Sequence, residues 1–361
     1  MAKPKVIVGM SGGVDSAVAA YLLKRDGYDV IGVTLRTWQS DDGQESRCCE
    51  IDDAREVART IGIPYYVFNC LDDFECKVIK PFIDDYINGM TPNPCVICNR
   101  EIKWERLLYY AKLLEADYVA TGHYASVVLL DNGRYTVKKA EHAEKDQTYM
   151  LYRLTQEQLS KTLMPLGGYS KQEVREIAEN AGIKVASKPD SQEICFVLDG
   201  DYADFIEKHT DKTPGEGNFV DEQGRILGRH KGIIHYTVGQ RKGLGIALGK
   251  PAHIKKIDPE TNEIVLSTSD DAGCARIICK GLNFTGIPEP AAGDVLRYHV
   301  KVRYRHPGQT ATLEMTDNDR MIITFDKPVK LAAPGQSAVF YDENGCLIGG
   351  GIITDVIFAD D

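Results

Sequence analysis

Residues 5–25, KVIVGMSGGVDSAVAAYLLKR, constrain the fold more tightly than any other stretch. Lys5-Val-Ile-Val-Gly9 is a short apolar run of strand length, and Ser16-Ala-Val-Ala-Ala-Tyr-Leu-Leu-Lys24 reads as a helix that ends near Gly27. The alternation continues: strands at Tyr28–Leu35, Tyr65–Asn69 and Tyr118–Thr121, helices over 50–61, 75–86 and 101–115. Short apolar strands separated by helices predict an α/β, doubly wound parallel sheet with ligands at the strand C-terminal ends. Residues 155–182 read as mostly helical, with Tyr169-Ser170 opening a helix at Lys171.

The character changes near residue 205. Turn signals (Pro214-Gly215, Asp317-Asn318-Asp319, Pro334-Gly335, Glu343-Asn344-Gly345) separate alternating, β-branched runs. The chain therefore divides as 1–204, the α/β unit; 205–273, a small central β-rich domain; and 274–361, a compact C-terminal β-barrel. No stretch reaches the roughly 20 apolar residues of a membrane span. MAKPKVIVGMSGG has neither the apolar run of a signal peptide nor the Arg-rich pattern of a transit peptide, so the expected location is cytoplasmic. In such a chain the ten cysteines are expected to be reduced, catalytic or metal-binding.

The turn Gly9-Met10-Ser11-Gly12-Gly13-Val14-Asp15-Ser16 joins the first strand to the first helix. Gly12 and Gly13 let the backbone approach a phosphate, Ser11 and Ser16 offer hydroxyls, and the helix N-terminus favours an anion. Asp15 is a candidate to help hold Mg²⁺. The turn lacks the lysine of a GxxxxGK[ST] loop and the spacing of GxGxxG. It resembles the SGGxDS loop of the PP-loop ATP pyrophosphatases, which implies ATP cleaved between its α and β phosphates and a substrate oxygen adenylated. Leu35, closing the second strand, is placed to cover the adenine or to be plain core; Gly122 in Thr121-Gly-His-Tyr is placed for a close backbone approach.

TPNPCVICNREIKW holds Cys95-Val-Ile-Cys98, whose spacing fits half a zinc site or a redox dithiol. The other close pairs, Cys48-Cys49 and Cys274 with Cys279, do not supply a matching second half for zinc. Cys195 ends the polar stretch Pro189-Asp-Ser-Gln-Glu-Ile-Cys195. In this order SGGVDS, NPCVICN, TGHY, KDQTYM, SQEICF, HYTVGQRKGLG and PGQ resemble the bacterial tRNA-specific 2-thiouridylases over nearly the whole chain. The resemblance implies ATP-dependent replacement of the C2 oxygen of the wobble uridine by sulfur in tRNAs for Lys, Glu and Gln. A cysteine desulfurase or relay protein would supply the sulfur.

In that family's pattern Cys98 matches the nucleophile and Cys195 the persulfide carrier, with a Cys98–Cys195 disulfide left after transfer. Asn93, Pro94 and Cys95 match the segment at the target base. Lys145, Asp146, Gln147, Tyr304, Arg305, Gln336 and His123 match or adjoin tRNA contacts. Many members carry an aspartate, often given an acid/base role, where this chain has Cys95. Cys95, Cys98 and Cys195 are therefore also candidate ligands of a four-iron four-sulfur cluster. Two other functions are compatible with parts of the pattern: another PP-loop ligase or amidotransferase, and a non-catalytic tRNA-binding iron–sulfur protein.

A net charge of −10 argues weakly against nucleic acid as a partner. Locally the balance reverses: between Glu222 and Asp258 stand eight Lys/Arg residues (225, 229, 231, 241, 242, 250, 255, 256) and no acid. In Arg297-Tyr-His-Val-Lys-Val-Arg-Tyr-Arg305 every second residue is basic, so a strand there would show one basic face.

Overall fold

The computed structural model describes residues 3–358 apart from 41, 42, 47, 189–193, 199, 247, 250, 269–272, 318 and 331. The polar stretch 189–193 before Cys195, Asn318 of one turn signal and Lys250 of the basic segment lie outside the described residues.

In chain order the first strands are β1 (Lys5–Gly9), β2 (Asp29–Arg36), β3 (Tyr65–Asn69), β4 (Tyr118–Ala120), the hairpin β5 (Ala125–Leu129) and β6 (Tyr135–Lys139), and β7 (Thr162–Leu163). Five of them form a parallel sheet in the order β3-β2-β1-β4-β7. Connections leave β1 toward β2 and arrive at β4 on its other side, so the crevice beyond β1 and β4 is the natural ligand position. Alternation along β1 sends Val6 and Val8 to one face and Ile7 to the other. Helix α1 (Val14–Arg25) is buried almost all round, sandwiched between the sheet, α2 (Ile51–Ile61) and the helix Lys171–Asn180.

Two local expectations need correction. Within 155–182, Thr162–Leu163 is a strand pairing with Val119 and Ala120, between the capped helices Gln156–Ser160 and Lys171–Asn180. There the edge of the sheet takes the backbone. The helix expected from Glu101 begins instead at Pro94, whose fixed φ and missing N–H suit a first helical position. Cys95 and Cys98 thus lie inside its first turns.

The remaining strands are β8 (Gly217–Val220), β9 (Ile226–His230), β10 (His253–Asp258) and β11 (Glu263–Ser267), forming the sheet β10-β11-β8-β9. Then β12 (Cys274–Phe284), β13 (Val295–Lys301), β14 (Gln309–Asp317), β15 (Arg320–Val329), β16 (Ser337–Tyr341) and β17 (Leu347–Phe358) close a barrel in the order β12-β15-β14-β13-β16-β17. The second face of the parallel sheet shares its core with the barrel through Val339, Tyr341 and Leu347. At that seam Tyr149 Oη donates to the Ser337 carbonyl (2.8 Å). Arg134 of the β5–β6 connection donates to the Phe284 and Thr285 carbonyls (2.8 and 3.0 Å). Among the described residues no helix is long and apolar enough to cross a membrane.

Candidate active site

The turn after β1 is held by its own hydroxyls. Ser11 N–H donates to Ser16 Oγ (3.1 Å), and Ser16 Oγ donates to the Gly13 carbonyl (3.1 Å). Gly12 has φ +84°, and a Cβ there would lie 2.6 Å from Glu50 Cβ and O, so only glycine fits. Met10 and Val14 point into the core, leaving backbone to line the turn. Gly13, the N-cap of α1, makes no side-chain cap bond, so the first N–H groups of the helix remain open to an anion. Gly122 makes the expected close approach: its added Cβ would stand 2.6 Å from Asp15 C and Ser16 N.

Asp15 is not free to face a cation. Lys171 Nζ donates to both its oxygens (2.8 and 2.9 Å), and Tyr124 Oη donates to Oδ1 (2.7 Å). As it stands the carboxylate is a poor fit for Mg²⁺, because an ammonium already neutralises it. Leu35 is buried in the sheet core, and its carbonyl accepts from Cys49 Sγ (3.0 Å).

Beside this loop lies a pocket of thiols. All ten cysteines are free; Cys95 is exposed, Cys98 buried, Cys48 and Cys195 half-buried. Cys48 arrives on the connection from β2 to α2, which meets the loop where Glu50 N–H donates to the Ser11 carbonyl (3.2 Å). Hydrogen bonds from Cys195 and then Cys49 hold the Cys48 thiol well below the ordinary thiol pKa despite its burial, with Lys103 assisting. The same contact with Cys48, and then burial, pushes Cys195 up. Burial pushes Cys98 up to about 12 against the pull of Lys103.

Lys103 supplies the positive counterpart. Burial presses its ammonium toward neutrality, but Cys98, Cys48, Cys95 and Cys195 together outweigh this and raise its pKa. A local irregularity brings it there: Asn99–Trp104 is a π-helical segment. Five residues around an α-helix is about 140° off face, whereas i→i+5 bonding returns residue 103 toward the face of Cys98. His123 also faces this lysine. Burial and then the Lys103 charge lower its pKa to about 3, so the ring is neutral, with Nδ1 2.8 Å from Thr121 Oγ1.

Among the described residues no group of three Cys, His, Asp or Glu side chains is placed to hold a metal ion.

The expected RNA-side residues fall into two kinds. Some are structural in this state: Asp146 is buried and accepts from Thr148 Oγ1 (2.9 Å), and Gln147 Oε1 accepts from Tyr124 N–H (2.9 Å). Asn93 Nδ2 reaches Met150 Sδ (3.4 Å), and Pro94 is buried. Gln336 Nε2 donates to the Thr91 carbonyl (2.7 Å), bracing the segment before Cys95 from the barrel. Others face outward or halfway: Lys145 and Tyr304 are half-buried and Arg305 exposed.

The basic stripe at 297–305 is corrected. β13 ends at Lys301 and the chain turns, closed by His306 N–H donating to the Arg303 carbonyl (3.1 Å). Arg297 pairs with Asp326 (2.6 Å), and half-buried Arg303 donates to the Val238 carbonyl (3.1 Å) of the HYTVGQRKGLG segment. In the central domain Arg225, Arg229, Lys255 and Lys256 pair with flanking Asp221, Glu216, Glu222 and Asp258. Lys231, Arg241 and Lys242 are exposed and make no ion pair among the described residues.

Sequence reasoning missed Cys48, Lys103, Tyr124 and Lys171. The signal for Cys48 was its position beyond the C-terminal end of β2, where this sheet class puts ligands.

Fold and site together define a class: an α/β nucleotide-loop domain with a thiol pocket, followed by two β modules. The model of the tRNA methyl transferase HUP domain matches residues 4–199. That of the tRNA methyl transferase PRC-barrel domain matches 203–268, and that of the aminomethyltransferase beta-barrel domain 275–353. A tRNA-specific 2-thiouridylase MnmA of Lachnoclostridium phytofermentans is 53% identical over 356 residues, 97% of this chain and 99% of its own length. Those of Clostridioides difficile and Acetivibrio thermocellus are 51% and 50% identical, over 97% and 98% of this chain and 98% and 100% of theirs. The chain belongs to the tRNA-specific 2-thiouridylase family. The domain descriptions speak of methyl transfer, but the relatives at half identity and near full length are named for thiolation. The U34-tRNA thiolase NcsA of Methanococcus maripaludis, solved with its [4Fe-4S] cluster, is 22% identical at a TM-score of 0.35, covering 58% of this chain and 67% of its own. That likeness is too distant to bear on the site.

Proposed function

We propose that this chain is an ATP-dependent tRNA-uridine 2-sulfurtransferase acting on the wobble uridine of tRNAs for Lys, Glu and Gln. The observation that carries the reading is the pocket of Cys48, Cys95, Cys98 and Cys195 around Lys103, joined to the phosphate-type loop by Glu50–Ser11 and by Gly122. Residues 1–204 would do the chemistry, and 205–273 with 274–361 would hold the RNA. The protein would work in the cytoplasm, with a cysteine desulfurase or relay protein as sulfur donor.

The uracil C2 oxygen is a poor leaving group. Its attack on the α-phosphate of ATP gives an adenylated uridine and pyrophosphate, and the N–H groups at the start of α1 hold those phosphates. ATP is expected as its magnesium complex; Asp15, already neutralised by Lys171, positions the loop rather than supplying a metal ligand. Sulfur arrives as a persulfide on Cys195, and an anionic sulfur attacks C2 with AMP as leaving group. Cys98 is the thiol assigned to release that sulfur, and Lys103 stabilises the anion at its side. Neutral His123 can position RNA or accept a proton, not donate one as imidazolium. Asn93, Pro94 and Cys95 lie at the helix start where the target base would enter.

The test is product analysis with unmodified tRNA-Glu. AMP and pyrophosphate should form one-for-one with 2-thiouridine, and only with tRNA present. ADP as product, or AMP formation indifferent to tRNA, would overturn the reading.

A further inference from the structure

Residues 334–337 of the barrel grip two segments of the α/β unit at once. Thr91 N–H donates to the Pro334 carbonyl (2.8 Å), and Gln336 Nε2 donates back to the Thr91 carbonyl (2.7 Å). Because the acceptor is a carbonyl, the nitrogen end of the Gln336 amide must face it. Gly335 stands between the two bonds at φ +88°, and a Cβ on it would lie 2.8, 2.9 and 3.0 Å from Thr91 N, C and O. The next residue, Ser337, exchanges two hydrogen bonds with Tyr149: Oη donates to its carbonyl (2.8 Å), and its N–H donates to Oη (3.2 Å). Met150 then ties the two gripped segments together. Its sulfur accepts from Asn93 Nδ2 (3.4 Å) and its carbonyl from Asn99 Nδ2 (3.0 Å), at either end of the short helix Pro94–Cys98.

We propose that Gln336 and its turn are a positioning element for the helix that carries Cys95 and Cys98, and so set the turnover of the bound RNA. The proposal rests on the thiolation reading of that helix and gives Gln336 a task beyond RNA contact. The stretch Thr91-Pro92-Asn93-Pro94 has little of its own to fix it. Its prolines have no N–H, so Thr91 and Asn93 carry its only backbone donors. Thr91 precedes a proline, which disfavours helix, so its carbonyl needs a partner outside the segment. Both backbone groups of Thr91 go to the barrel turn.

The turn is itself anchored. Gly335 N–H donates to the Ile353 carbonyl of β17 (2.9 Å), and Ile353 N–H donates to the Gln336 carbonyl (2.8 Å). A rigid barrel edge therefore sets where the chain enters the helix of Cys95 and Cys98, and a misplacement of about 1 Å there is costly in rate. The same turn holds Tyr149, next to the Met150 that spans the helix, so both supports of the helix trace back to residues 334–337.

The experiment compares the full-length wild type with Gln336→Met and Gly335→Ala, each well below its Tm. Gln336→Met keeps the length of the side chain and removes the donor; Gly335→Ala pushes on the Thr91 backbone and removes no side-chain contact. Two quantities are read: kcat for 2-thiouridine formation at saturating unmodified tRNA-Glu, and amide exchange over 91–95 without RNA. Saturation takes any loss of RNA affinity out of the comparison, and only Thr91, Asn93 and Cys95 carry an N–H in that window. The expected result is a kcat lower by roughly tenfold or more in both variants, with faster exchange at Thr91. A normal kcat with the loss confined to Kd for tRNA, or a lower kcat with Thr91 exchange unchanged, overturns the proposal. Unprotected Thr91 N–H in the wild type overturns it without need of a variant that folds. A wild type that makes no 2-thiouridine overturns the thiolation reading and the role in turnover with it, while the exchange result still decides whether the turn holds Thr91.

Discussion

Gly122→Ala tests whether the end of β4 holds the nucleotide loop in place. The added methyl carbon would stand 2.6 Å from Asp15 C and Ser16 N and 2.9 Å from Asp15 O. Ordinary contact begins at 3.4 Å, so the two segments must part by about 0.8 Å, the difference between 3.4 and 2.6 Å. All three neighbours are backbone, so no rotamer change relieves the clash. Gly122 has no positive φ, so the effect is steric alone. Overpacking costs about 1–3 kcal/mol, offset by about 0.4–1 kcal/mol from the stiffer unfolded chain. A net loss of roughly 1–2 kcal/mol follows, a modest fall in Tm. Function should suffer more, because a misplacement of about 1 Å costs roughly 100-fold in catalysis. Gly215→Ala is the control, with nothing within 4 Å and no positive φ. Thermal melts and tRNA-dependent pyrophosphate release read the two effects. A Gly122→Ala protein that turns over like Gly215→Ala would refute the reasoning.

The remaining predictions concern charge. Lys103→Met removes the ammonium that pulls Cys98, Cys95 and Cys48 down, so the pH profile of thiol alkylation should move to higher pH; an unmoved profile contradicts the role of Lys103. Arg241→Glu with Lys242→Glu should weaken tRNA binding and flatten its salt dependence by about one unit of slope per lost phosphate contact. Arg303→Glu should instead lower Tm by breaking the bond to Val238, and a normal melt would return Arg303 to the surface. His123 titrates near 3 folded and near 6.5 unfolded, so between those values the unfolded chain binds the extra proton. Stability therefore falls as pH drops through that window. Asp85, raised to about 6 by burial and then Asp84, acts with the opposite sign between about 6 and 3.8. His123→Gln should make the protein less acid-sensitive, and an unchanged acid limb would contradict the buried neutral ring.

Much of the fold was legible because its signals are local. The apolar run of β1, the Gly-Gly turn and the small-residue face of α1 lie within one short stretch, and Ser170 with Glu173 announces its helix by a capping box. The site was legible only where a motif is contiguous. The Asp15–Lys171 pair joins residues 156 apart, and nothing local marks Lys171 as a partner of the loop. Cys48 looked idle because the groups that act on its thiol, Cys195 and Lys103 among them, lie far along the chain. Lys103 faces Cys98 through a π-helical segment that α-helical periodicity does not anticipate. The basic alternation at 297–305 misled for a related reason: period two assumes a strand throughout, and β13 stops at Lys301.

The most direct test of the account is nucleoside mass spectrometry of unmodified tRNA-Glu after anaerobic incubation with ATP, Mg²⁺, a persulfide donor and enzyme stripped of iron. The account predicts ATP-dependent 2-thiouridine at the wobble position, lost in Cys195→Ala. No 2-thiouridine from the wild-type protein, with recovery only after iron–sulfur reconstitution, would contradict sulfur transfer through these thiols.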